Sequence, residues 1–329
     1  MDILLILKAV GFLSLEAIGI PGNLIILACF AHFRIFTGKF IPADVILCKL
    51  AFINLVVVLI RGIPQSLSTL GANRLSDQQG CNFIIFAYRV CRAMSICMTS
   101  LLSCYQCALL APSSYFWSII KRKLTQILLP VMMFFWCLNS MIYLFGTYSF
   151  SLGLYPNSTA HVLNLEFCFI IFSSYSDFLV NAITALVRDL FCIGLMCLSS
   201  LYIVIILYRH RRRLKSIRRS KQDGRSNAET KAANAVVMLV ATYVFFFGLD
   251  NGIWLFSILK SSNLSLVLTD ARVFFGSCYS ALSPIVIIST NRTVQMKLKS
   301  VLPKKLSKSP ETTISHISKY IFAKSDSKL

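Results

Sequence analysis

Charge is scarce in this chain. Only 14% of its 329 residues are Asp, Glu, Lys or Arg, against 56% apolar, and the mean hydropathy is +0.71. A water-soluble domain of this length carries nearer a quarter charged residues. Lipid is therefore the solvent this composition fits. Acid is scarcer still, with 13 Asp and Glu against 33 Lys and Arg. Histidine is reduced to His32, His161, His210 and His316, all in loops or at the ends of apolar runs. The twelve cysteines are scattered, mostly inside apolar stretches, without the paired spacings of a zinc site. There is no G-x-S-x-G, no H-E-x-x-H and no Gly-rich phosphate loop. These gaps exclude the common hydrolase, kinase and metalloenzyme chemistries and imply neither metal nor cofactor. No internal repeat stands out, which argues against an inverted-repeat transporter. No basic region precedes the first apolar run and no A-x-A site follows it, so a retained first span is predicted rather than a cleaved leader.

What the chain does have is long apolar runs. A spanning helix needs about 20 predominantly apolar residues. Seven segments qualify, over 8–31, 45–70, 82–110, 125–147, 185–208, 233–258 and 269–290. They are too long, and too little alternating, for barrel strands. An all-α membrane protein is predicted, a bundle of seven transmembrane helices over 1–296 followed by a basic, Ser-rich tail over 297–329. The first turns of the tail (VQMKLKSVL) have the pattern of a helix lying on the membrane, and the rest has the composition of a disordered segment.

Twenty-four of the 33 basic residues fall in the alternate loops and the tail. Ten of them crowd between Arg209 and Lys231. Basic loops stay on the cytoplasmic side, which puts the N-terminus outside and the tail inside a multi-pass plasma-membrane protein. That distribution suits anionic lipid and argues against nucleic acid as partner. The long external loop, 148–184, holds a glycosylation sequon at Asn157 and the apolar stretch Phe167 to Phe172, read as folding over the mouth of the bundle. Cys168 is the only cysteine in that loop, and Cys81 opens the third span on the same side. In an oxidising exterior a disulfide between them is expected, two free thiols being the alternative.

Basic groups also occur inside the spans. Arg61 lies in the second; Arg89 and Arg92, three apart and so neighbours on one face, lie in the third after Tyr88. A charge at this depth faces the bundle interior or a wet cavity. Two readings stay open. The arginines pair with internal acids (Glu16, Asp189, Asp250 and Asp270 are in range) and hold the bundle together, or one of them receives an anionic ligand. Phe245, Phe246, Phe247, Trp254, Phe274, Phe275 and Tyr279 form an aromatic set near the mouths of the last two spans, suited to an apolar pocket. Pro64, Pro130 and Pro284 stand inside helices and permit kinks. Asn23 and Asn54 invite interhelical hydrogen bonds.

Seven spans, the Cys81 and Cys168 placement and Gly22-Asn23 in the first span resemble a G-protein-coupled receptor. Several rhodopsin-like signatures are missing. The second span has Asn54 where an Asp is usual, the third ends SCYQCALLAP without an acidic-Arg-Tyr triplet, and the sixth reads FFFGLDNGIW without Cys-Trp-x-Pro. RGIPQ (Arg61 to Gln65), YRVCRAMSICMTSLLS (Tyr88 to Ser103), VRDLFCIGLM, LYRHRRRLKSI and LSPIVIIS (Leu282 to Ser289) resemble the vomeronasal type-1 receptors and their fish olfactory counterparts. The resemblance implies a chemosensory receptor for pheromones or small organic odour molecules that activates a heterotrimeric G protein of the inhibitory type. The residues themselves point to a ligand site in the outer half, with Arg61, Tyr88, Arg89, Arg92, Asp250, Asn251, Trp254 and Tyr279 as expected contacts and Arg92 as anchor for an acidic group. The basic run with Arg209, Arg211, Arg212, Arg213 and Lys215 would flank the G-protein site. A bitter-taste-type receptor, a small solute transporter or channel, and a ligand-free structural protein are the competing readings.

Overall fold

A computed structural model describes residues 3–37, 41–69, 78–111, 115–148, 161–164, 169–172, 175–216, 224–259, 266–291, 294–296 and 298. Among the described residues, seven stretches of helix are long and apolar enough to cross a membrane. The first is α1 (Ile3–Thr37). The second is α2 (Pro42–Val57), a π-helical turn (Val58–Gly62) and α3 (Ile63–Thr69) in continuous succession. The others are α4 (Gln78–Leu110), α5 (Tyr115–Tyr148), α6 (Tyr175–Ser216), α7 (Gly224–Leu259) and α8 (Leu266–Thr290). Helix is what hydrocarbon demands, because each peptide group must find its partner within the segment.

Each predicted span is present, and the differences lie at its ends and inside the second. The wide turn at Val58–Gly62 comes just before Pro64. Pro64 has no N–H for the carbonyl four residues back, and a π turn is one way a helix absorbs that loss. The fifth span's helix starts at Tyr175, well before the 185 expected, and continues through Arg209, Arg211, Arg212, Arg213 and Lys215 to Ser216. The basic run from Arg209 to Lys231, predicted as loop, is thus helical at both ends, in α6 as far as Ser216 and in α7 from Gly224. Arg, Lys and Leu are good helix formers, so charge ends the apolar run without ending the backbone helix. The residues from Arg209 to Ser216 reach about 12 Å past the last apolar turn. Within the stretch Phe167 to Phe172, the described residues Phe169–Phe172 are also more regular than a loop. β1 (His161–Asn164) and β2 (Phe169–Phe172) form an antiparallel pair in which His161 faces Phe172 and Asn164 faces Phe169.

The third span is the central post. In its apolar window 72% of residues are buried, against 22% in the fourth span. α4 packs against α2, α5, α6 and α7, while α8 packs against α1 and α7. The core runs through Ile46, Leu50 and Ile53, across Met94, Met98 and Leu102, to Met196 and Leu239. Apolar residues of α5 and α6 such as Leu129, Phe134, Val187 and Leu198 face outward, as lipid-facing positions do.

Two asparagines knit the interior. Asn54 donates to Ser283 Oγ at 2.8 Å and accepts from Ser95 Oγ at 2.7 Å and Ser280 Oγ at 3.4 Å, tying the second, third and seventh spans. Asn23 donates to the Ser280 carbonyl at 3.1 Å. That contact needs a close approach of α1 and α8, which the glycines allow: a Cβ at Gly22 would stand 2.7 Å from Pro284 Cβ, and one at Gly19 3.0 Å from Ala281 Cα. At the far end of α8, Asn291 accepts from the Val294 N–H at 3.0 Å, the pattern of a helix cap.

Candidate ligand-binding site

Arg92 sits on the central helix, and its guanidinium meets the Asp250 carboxylate of α7 in an ion pair. Arg272 of α8 reaches the other oxygen of the same carboxylate, Nε to Oδ1 at 3.3 Å. One acid therefore joins three spans and carries two cations. The Asp250 side chain is only 3% exposed, while those of Arg92 and Arg272 are 28% and 27% exposed. The burial differs because a carboxylate on a short stem is held by the helices, whereas a guanidinium on a long stem reaches further out, and that of Arg92 reaches a polar space.

That space is a small cavity lined by Arg92, Ser95, Tyr243, Phe246, Phe247, Phe275, Gly276, Tyr279 and Ser280. Its volume is about 20 Å³, room for a single water. Its roof is charged, its sides are aromatic and its floor is made of hydroxyls. Tyr279 OH and Thr99 Oγ1 lie 2.7 Å apart, and the Tyr243 ring meets the Tyr279 ring edge-on at 4.7 Å between centroids. Ser95 and Ser280 line the cavity and also bond Asn54, so the floor is continuous with the network that ties the second and seventh spans. At Gly276 the wall comes close to Arg92 and Tyr88. A Cβ there would stand 3.4 Å from Arg92 Nη1 and 3.5 Å from Tyr88 OH.

Of the residues singled out from the sequence, Arg92, Asp250 and Tyr279 come together here, with Tyr88 beside them. Arg61 is buried behind Tyr88, its guanidinium 5.7 Å from the ring centroid in cation–π contact. Arg89 is half-buried on α4 and does not line the cavity. Asn251 turns its amide onto its own helix, to the Phe247 carbonyl at 2.8 Å. The Trp254 side chain, Cys168 and Asn157 lie outside the described residues. Cys81 is disulfide-bonded. Among the described residues no His, Cys, Asp and Glu gather as a metal site.

Sequence reasoning missed Arg272 and Arg188. Both lie inside predicted spans, so the signal used for Arg61 and Arg92 would have found them. Arg188 binds Asn139 Oδ1 at 3.1 Å and Tyr143 OH at 2.8 Å, and pairs with Asp189 at 2.7 Å. This second charged cluster joins α5 to α6, and its residues do not line the cavity. The remaining candidate acids are engaged elsewhere. Glu16 accepts from Ser66, and Asp270 pairs with Lys8 at 2.8 Å.

Known proteins resemble this chain in sequence and in fold. The profile of the vomeronasal organ pheromone receptor family matches residues 8–300. Olfactory receptor class A-like protein 1 of Danio rerio is 38% identical over 303 residues, 91% of this chain and 93% of that protein. Vomeronasal type-1 receptor 1 of Homo sapiens is 26% identical over 285 residues, 86% of this chain and 80% of that protein. In fold, the crystal structure of squid rhodopsin superposes with a TM-score of 0.66 at 14% identity, covering 94% of this chain and 90% of that one.

Proposed function

This chain belongs to the vomeronasal type-1 receptor family and is a chemosensory G-protein-coupled receptor rather than an enzyme, and we propose that it detects a small organic molecule in the cavity between the third, sixth and seventh spans. The carrying observation is Arg92. It is a buried-span cation that lines the cavity and touches Asp250 at the same time. A guanidinium in that position suits an acidic ligand, because its planar fork matches a carboxylate. The aromatic sides formed by Phe246, Phe247 and Phe275 suit an apolar body. Tyr88, Arg89, Arg61, Asn251, Trp254 and Tyr279 complete the proposed neighbourhood.

In this reading the N-terminus and the β1–β2 hairpin face outside, and the plasma membrane holds the receptor. Cys81 pairs with Cys168, pinning the hairpin loop beside the third span, and Asn157 carries the glycan. The partner inside is a heterotrimeric G protein of the inhibitory type. It docks beside the helical extension that bears Arg209, Arg211, Arg212, Arg213 and Lys215. The ligand shifts a pre-existing equilibrium only by its differential affinity for two arrangements of the spans. With no acidic-Arg-Tyr triplet in SCYQCALLAP, the switch rests on repacking of the third, fifth, sixth and seventh spans. The basic extension also fits the anionic inner leaflet.

The test is a cell-based G-protein activation screen with small acids, amines and steroids on wild type and Arg92→Gln at matched surface level. The expected result is a response to acids that the variant loses. An acid response that the variant keeps in full removes Arg92 from the ligand site. A transmembrane flux of solute with no G-protein response would overturn the receptor reading.

A further inference from the structure

We infer that Asp250 acts as a built-in surrogate for the ligand: a small monoanionic acid binds by taking over Arg92 and Arg272 from the Asp250 carboxylate, and this exchange releases the sixth span from the third and the seventh. The inference rests on the ligand site proposed above and adds how that site is occupied and unlocked.

The charge balance favours an anion as the ligand. Among the described residues two guanidiniums, Arg92 and Arg272, face the Asp250 carboxylate, so these three groups together carry one surplus positive charge. Leaving a cation there uncompensated is unfavourable. A monoanion brings the cluster to neutrality; a neutral or cationic molecule does not. Donors are also left over. Each guanidinium has five N–H groups, and Asp250 takes one contact from Arg92 Nη2 and one from Arg272 Nε.

The geometry supplies the route. Arg92 stands between the cavity and Asp250, lining the one and bonded to the other. Gly276 lets the backbone of α8 come close to Arg92, a Cβ there standing 3.4 Å from Nη1. Arg272 is four residues before Gly276 on α8 and so lies on the same face. The cavity itself has room for about one water. A ligand larger than water therefore enters only if something moves. The group whose bonds an incoming carboxylate can replace one for one is Asp250. Its loss from Arg92 and Arg272 removes the described polar ties that hold α7 to α4 and α8 at this level.

The experiment uses purified full-length receptor and the probes acetate and acetamide, the second being the neutral counterpart of the first. Thermal unfolding is followed at constant ionic strength in wild type, Asp250→Ala and Asp250→Asn. Removing the surrogate should lower the unfolding midpoint, and acetate but not acetamide should restore it. The concentration giving half the effect should be at least ten-fold lower in Asp250→Ala than in wild type. The rescue should vanish when Arg92→Gln or Arg272→Gln is added. Asp250→Asn keeps the side-chain volume and serves as second variant where Asp250→Ala does not fold. Equal responses to acetate and acetamide, or rescue that survives loss of both arginines, would overturn the exchange. So would acetate acting equally on wild type and Asp250→Ala. In a G-protein assay, Asp250→Asn should raise ligand-free activity several-fold, and unchanged basal activity in a receptor that responds to acids would overturn the release step. The acetate rescue needs no G protein, so it can fail while the receptor reading stands, and the reverse.

Discussion

Replacing Asn23 by Ala should weaken the bundle only while residue 284 is proline. Pro284 has no N–H, so the carbonyl four residues earlier, that of Ser280, has no donor from its own helix. Asn23 Nδ2 supplies one from α1 at 3.1 Å, across the close approach that Gly22 permits. Its second N–H goes to the Gly19 carbonyl at 2.8 Å, within its own helix. Stranding a buried carbonyl costs about 1–3 kcal/mol. Interhelical hydrogen bonds measured in membranes average nearer about 0.6 kcal/mol and reach about 1.7. The single change also removes Asn23 Oδ1, a buried atom without a partner, which returns part of the loss. A net cost of about 1 kcal/mol follows for Asn23→Ala. With Pro284→Ala the backbone N–H at 284 returns to Ser280, and the amide becomes redundant. The double-mutant cycle should then show a coupling of about 0.6–1.7 kcal/mol. The assay is reversible unfolding in bicelles with rising detergent fraction, read by tryptophan fluorescence. A coupling within about 0.3 kcal/mol of zero, the level at which independent sites add, would refute the claim that Asn23 repairs the proline gap.

Gly22→Val should destabilise by about 1–3 kcal/mol through overpacking, because its Cβ would fall 2.7 Å from Pro284 Cβ. Gly248→Ala, with nothing among the described residues within 4 Å of the new Cβ, should be neutral or stabilise by about 0.5–1 kcal/mol; the same unfolding assay compares the two. Tyr279→Phe should cost about 0.5–1.5 kcal/mol by removing the hydroxyl that meets Thr99, and an unchanged unfolding midpoint would argue against that bond. Arg188→Met should cost about 3–5 kcal/mol, since it leaves Asp189 without its ion pair and strips Asn139 and Tyr143 of a donor. Surface level measured by antibody should fall accordingly, and adding Asp189→Asn should recover part of it.

Much of the fold was legible because hydropathy is a local property. Runs such as 45–70 and 269–290 announce spans wherever they pack. The ends were less legible, since Arg209 to Ser216 is polar by composition and helical by backbone. The π turn at Val58–Gly62 follows from Pro64 only in hindsight, as Pro130 and Pro284 sit inside helices assigned as α throughout. The candidate site was legible in part. Arg92, Asp250 and Tyr279 were named from residue type and depth alone. Arg272 and Ser280 were not, although their helix was correctly placed.

Local pattern was enough for the seven spans, for the intramembrane cations and, through blocks such as RGIPQ and LSPIVIIS, for the family. Span length, charge and motif order are properties of neighbours along the chain. Which acid meets which arginine is settled in three dimensions alone. Asp250 lies 158 residues from Arg92, and whether two side chains so distant meet depends on the rotation and depth of each helix. Packing fixes those two quantities, and here glycines at 19 and 22 set them for the first and seventh spans. The same packing set Arg188 against Asn139 and Tyr143 instead of the cavity, a choice that no local pattern in VRDLFC records.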